Sequence, residues 1–170
     1  MSETRSRLTP LSTESWNENT PNILRAVAHH PKLLDPFLGF AATLANGALP
    51  RRASEILALR AAWNCQSTFE WGHHVLFARA AGLDDDAIER IARGPDAGWD
   101  DADRTLLEAA DELHADRELS EDTWSRLAAA WSNEQLVEIP FVVGHYTMLS
   151  MVCGALRVEV EDGLPPLPAF

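Results

Sequence analysis

Residues 51–82 read RRASEILALRAAWNCQSTFEWGHHVLFARAAG, two apolar segments separated by a short polar break. In the first, Leu57, Ala61 and Asn64 share one helical face, with Ile56, Leu59 and Trp63 close by. The spacing predicts a helix that begins at Pro50. Ser67-Thr68-Phe69-Glu70 then fits the S-x-x-E box, in which serine caps a new helix and glutamate reaches back to the serine N–H. That second helix closes at Gly82, a natural left-handed C-terminal residue. After His74 it is apolar on nearly every face, so it belongs in a core or a subunit interface.

Helix signals continue on both sides of this hairpin. A short polar helix is expected around Ser12–Trp16, followed by NTPNILRAVAHHP and by a helix from Pro31 to Gly47. Downstream, LDDDAIERIARG has an acidic first turn and is broken by Gly94-Pro95. Two amphipathic helices follow, the second capped by Ser120. A long apolar segment then opens on a Ser132/Gln135 capping box and is kinked or interrupted at Pro140. Alternating strand patterns are nearly absent, ALRVEVEDG being the one weak candidate. The chain therefore reads as all-α, a multi-helix bundle of seven or eight helices. Residues 55–80 and 134–159 share a faint likeness that suggests a degenerate helix-pair repeat, although two ordinary buried helix pairs account for it equally well.

The 170 residues are expected to form a single domain. Within it lie a core at about 22–93, a C-terminal helical half at about 100–158 and a proline-rich tail at 163–170. With 46% hydrophobic and 24% charged residues the composition is that of an ordinary globular protein. Fourteen basic against 26 acidic side chains give a net charge of −12, which argues against nucleic acid or anionic membranes as partners. No signal-peptide core and no bilayer-length apolar run is evident, so a cytoplasmic protein is expected. Cys65 and Cys153 are then reduced thiols.

Glu70 and His74, four residues apart, project from one helical stripe and form a candidate carboxylate–imidazole proton shuttle, with Trp71 beside them. A plain cap and a surface ion pair would show the same spacing. His73 points about 100° away. Glu70-x-x-His73 lacks the second copy that a di-iron bundle needs, and zinc signatures are absent, so no metal is expected. Cys65 has no C-x-x-C partner.

Taken together, Glu55, Asn64, Phe69-Glu70-Trp71, His74 and the following ARAAGL resemble the carboxymuconolactone decarboxylase family, which is similar in fold to the alkyl hydroperoxidase D group. The resemblance implies that the catalytic glutamate of the peroxidase group falls at Glu55, its two cysteines at Ser67 and Glu70, and its histidine at His74. Both thiol positions thus carry oxygen-bearing side chains, which counts against a peroxidase and leaves a cofactor-free lyase or isomerase acting on a small unsaturated lactone or keto acid. His74 would be the acid, Glu70 its orienter and Glu55 a supporting carboxylate. Ser67, Trp71, Arg60, His145 and Tyr146 are the candidate substrate contacts, with Arg60 preferred over Arg51 and Arg52 as the cation for an anionic substrate. A homotrimer or homohexamer is also implied. A thiol-based antioxidant resting on Cys65 and a non-catalytic oligomeric scaffold are the alternatives.

Overall fold

A computed structural model of the chain describes residues 6–12, 16–17 and 19–170. Among these the regular elements are eight helices: α1 (Asn22–Val27), α2 (Pro31–Ala45), α3 (Arg51–Asn64), α4 (Thr68–Ala80), α5 (Asp85–Arg93), α6 (Asp101–Ala115), α7 (Glu121–Ala130) and α8 (Asn133–Leu156). The fold is all-α, and the strand-like ALRVEVEDG leaves the end of α8 as irregular chain. The polar helix expected around Ser12–Trp16 falls largely outside the described residues.

The first half of the hairpin, α3, is the centre of the molecule. Ten of its 14 residues, Ala53 through Ala62, are buried, because α4, α5, α6 and α8 all pack around it. Complete burial of Ile56, Leu57 and Leu59 contributes about 1.5–3 kcal/mol each. A helix so enclosed can keep polar groups only if each finds a partner. Arg60 finds several. Its Nε and Nη2 donate to the two Asp111 carboxylate oxygens at 2.6 and 2.8 Å, and Nη1 donates to the carbonyls of Ile91 and Ala92 at 2.9 Å each.

The chain reverses after α3 through Gln66 in the left-handed region, φ 52°, with Ser67 N–H donating to the Ala62 carbonyl at 2.9 Å. Ser67 then caps α4, its Oγ accepting the Glu70 N–H at 3.3 Å. The turn and cap fix how α4 lies on α3.

The Ser132/Gln135 capping box opens α8 as expected, but the helix runs uninterrupted through Pro140 to Leu156. Packing along α3 and α6 offsets the one backbone hydrogen bond that proline forfeits. That continuity also overturns the repeat, since residues 134–156 form one helix where the hairpin has two. By length and composition α8 is the one helix among the described residues apolar enough to cross a bilayer, a run that the sequence pattern did not reveal. One side, including Ile139, Val142 and Cys153, is buried. The other leaves Val137, Phe141, Met148 and Met151 exposed in a stripe.

The C-terminal tail returns across α4. Glu161 accepts from His73 Nε2 at 2.9 Å and from the Asn22 N–H at 2.6 Å. Gly72 makes room beneath it, because a Cβ there would sit 2.9 Å from Leu164 Cβ.

Candidate active site

Three ionisable side chains from the hairpin meet under α8. Glu55, fully buried on α3, accepts the Nδ1 proton of His74 through Oε2 at 2.7 Å. The opposite ring nitrogen, Nε2, faces Glu70 Oε2 at 3.9 Å. Because a carboxylate only accepts, the Glu55 bond places the proton on Nδ1 and leaves Nε2 turned to Glu70. All three groups are buried, none of them more than 4% exposed.

Neighbouring groups complete the enclosure. Arg51, one turn before Glu55, lies with Nη2 2.6 Å from Glu55 Oε1, an ion pair without hydrogen-bond alignment. Its side chain is 40% exposed and passes over the Phe77 ring at 5.7 Å, so it reaches from the buried carboxylate to the surface. The Tyr146 ring from α8 meets His74 edge-on at 4.1 Å, and Phe77 meets it at 5.5 Å. Behind Glu70, the Cys153 Sγ lies 3.7 Å from Oε1.

Burial pushes the Glu70 carboxyl above its ordinary range, a shift that the neighbouring imidazoles of His74 and His73 only partly oppose. Burial, with the charge of Glu70, also pushes the Cys153 thiol up, and burial with the charge of Glu55 does the same to the Tyr146 phenol. Desolvation and the neighbouring His74 hold the His145 imidazole down to about 4. The site thus combines a carboxyl biased towards its acid form with an imidazole fixed in one tautomer. Among the described residues no group of three or more histidine, cysteine, aspartate or glutamate side chains converges as a metal site.

Several sequence-based expectations change here. The residue that orients His74 is Glu55 from the neighbouring helix, and Glu70, four residues before His74, holds the opposite side of the ring. Glu70 makes no reciprocal capping bond; its carboxylate turns inward, and Ser67 acts as a one-way cap. Trp71 is a core residue, its ring edge-on to Trp63 at 6.0 Å. Arg60 is consumed by Asp111 and the end of α5, so no guanidinium edge is left for an anion. Arg51 is the cation at the site. His145 and Tyr146 stand on the same wall with ring centroids 5.0 Å apart, although only Tyr146 covers His74. Cys65 lies 3.8 Å from His114 Nδ1. His73 faces away, towards Glu161. The sequence reading missed Cys153, which falls seven residues after Tyr146 and so on the same stripe of α8.

The carboxymuconolactone decarboxylase family matches residues 31–112, which hold the whole hairpin and both glutamates. The matched segment, just under half of the chain, is thus similar to the carboxymuconolactone decarboxylase family. Solved structures agree in fold. An uncharacterized peroxidase-related protein from Ralstonia eutropha with an alkylhydroperoxidase AhpD core is 15% identical, with a TM-score of 0.80 over 92% of this chain and 93% of that one. A peroxidase-related protein from Silicibacter sp. is 19% identical, TM-score 0.76, over 85% and 78%. The debrominase Bmp8, in a cysteine-to-alanine form in complex with 2,3,4-tribromopyrrole, is 16% identical, TM-score 0.80, over 93% and 95%. At these identities the likeness is one of fold. No curated protein matches the chain in sequence.

Proposed function

We propose that this protein is a cytoplasmic, cofactor-free lyase or isomerase that moves a proton on a small unsaturated lactone or keto acid. The observation that carries the reading is the Glu55–His74–Glu70 array, a tautomer-fixed imidazole facing a buried carboxyl. In a decarboxylation the bond to the carboxylate carbon breaks, CO₂ leaves, and the electron pair passes into the conjugated carbonyl as an enolate. Glu70, biased towards its acid form, donates its proton to the enolate carbon and is reprotonated from solvent. His74 takes up that solvent proton at Nε2 and, as an imidazolium balanced by Glu55, passes it to the carboxylate left behind. Arg51, at the surface end of the array, attracts the substrate carboxylate in an otherwise acidic protein.

A thiol peroxidase has less support. Ser67 and Glu70 occupy the positions where the resemblance places the two cysteines, Cys65 is paired with His114, and the Cys153 thiol is pushed away from its reactive thiolate form. Exposed Leu76 and Phe77 on α4 support self-association as a trimer or hexamer, which light scattering on the purified protein tests.

The direct test of the reaction is a turnover screen against unsaturated lactone acids and β-keto acids, with Glu70→Gln and His74→Asn alongside. Both variants are expected to keep their helical circular dichroism and to lose a factor of roughly 10²–10⁴ in kcat. Full activity in either folded variant refutes the proton-transfer role.

A further inference from the structure

Cys153 on α8 meets the proton-handling array at a single atom. Its Sγ donates to Glu70 Oε1 at 3.7 Å. The thiol is otherwise packed with Ile23, Phe69 and Leu149, so the Glu70 oxygen is its polar contact among the described residues. The contact is equally singular for Glu70. Among the described residues the Cys153 S–H is the one hydrogen-bond donor to that carboxyl. His74 Nε2 stands 3.9 Å from the other oxygen, Oε2, and Ser67 Oγ takes only the Glu70 backbone N–H.

The two oxygens of Glu70 therefore have different surroundings. A carboxyl in its acid form has one oxygen that accepts and one that carries the proton. Burial and the charge of Glu70 push the Cys153 thiol up, so it keeps its proton and faces Oε1 as a donor. The acid proton is left to Oε2, opposite the Nε2 that the Glu55 bond leaves bare. A thiol suits this task. A hydroxyl or backbone N–H in its place would favour the carboxylate and draw Glu70 towards ionisation. An S–H is a weak donor, so it orients the group while burial still biases Glu70 towards its acid form.

We propose that Cys153 is a positioning residue, whose S–H on Oε1 keeps the Glu70 proton on Oε2, the oxygen turned to His74. Its value to the reaction rests on the proton-transfer reading of Glu70 and His74, in which that oxygen gives up a proton and regains one. Without the thiol, the carboxyl is free to exchange its two oxygens by rotation.

The test uses a Cys65→Ser background, which leaves Cys153 as the one thiol, and compares Cys153→Ala and Cys153→Ser within it. Two readouts need no substrate: the infrared S–H stretch, and the ¹³C carboxyl signal of labelled glutamate, with Glu70 assigned by Glu70→Gln. The titratable groups around Glu70 are His73 and His74 on α4, Tyr146 and Cys153 on α8 and Glu161 in the tail. From α3, Glu55 and its partner Arg51 stand beyond His74. As Glu70 ionises, the S–H band should move to lower frequency with the midpoint of the Glu70 signal, because a carboxylate is the stronger acceptor. That midpoint should rise in Cys153→Ala and fall in Cys153→Ser, whereas a side chain that only fills space would leave the two alike. On an acid that turns over, kcat should fall roughly three- to tenfold in Cys153→Ala and recover partly in Cys153→Ser. The proposal is overturned if the S–H band ignores the ionisation of Glu70, or if the two variants share one Glu70 midpoint. A protein inert in the turnover screen refutes the lyase reading alone, since both spectroscopic results stand without it.

Discussion

His145 makes a quantitative test of how the α8 wall is built. Its imidazole titrates at about 4 in the fold against an ordinary value of 6.5, because burial disfavours the charged ring and His74 stands nearby. Since the folded state holds the proton more weakly, the unfolded chain takes it up first as pH falls. Stability is therefore fully present above 6.5, is lost between 6.5 and about 4, and levels off below. At about 1.4 kcal/mol per pH unit the whole gap is worth about 3 kcal/mol, of which about 2 kcal/mol is gone at about pH 5. Urea unfolding across this range, on wild type and on His145→Phe, isolates the effect. Glu70 acts in the opposite sense, its raised value costing stability as pH rises past 4.5, but it is present in both proteins and cancels in the difference. The wild type should lose about 2 kcal/mol more than the variant on going from about pH 7 to about pH 5. Parallel pH profiles, or a His145 ring resonance that titrates near its ordinary value of 6.5, would refute the argument.

Three further outcomes follow from the geometry. Arg60→Met leaves Asp111 with only the Asn64 amide as partner and two α5 carbonyls unpaired, and should cost about 3 kcal/mol in urea unfolding; a loss under about 1 kcal/mol would return Arg60 to the substrate candidates. Ser67→Ala removes the α4 cap and should cost about 1 kcal/mol, with kcat on any acid that turns over kept within a few-fold, because the Ser67 hydroxyl only caps. Arg51→Gln should raise KM for an anionic substrate about tenfold or more while changing kcat less, and the KM effect should shrink as salt is added; an unchanged KM would remove Arg51 from substrate binding.

The hairpin was legible because its signals are local: helical periodicity, the Ser67 cap and the Gly82 stop all lie within reach of their own backbone. So was the likeness of Glu55 and His74 to a family pattern. What could not be read was which carboxylate holds which nitrogen. Spacing puts Glu70 and His74 on one stripe, yet the shorter bond crosses to Glu55 on the neighbouring helix, and only the packing of α4 on α3 decides that. Arg60 misled for the same reason, since its partner Asp111 lies 51 residues away. Pro140 misled in the opposite direction. A local breaker signal was overridden by the burial of the helix around it.

The reversal at Gln66 has a consequence for how this scaffold can change. It brings Glu55, Glu70 and His74 together from one short stretch of chain, so the three ionisable groups are positioned by the crossing of two successive helices. The wall over them, with Tyr146 and Cys153, comes from a single helix distant in sequence. The array and its cover are thereby held on separate pieces of chain. Substitutions along α8 would reshape the cover while Glu55, His74 and Glu70 stay in register.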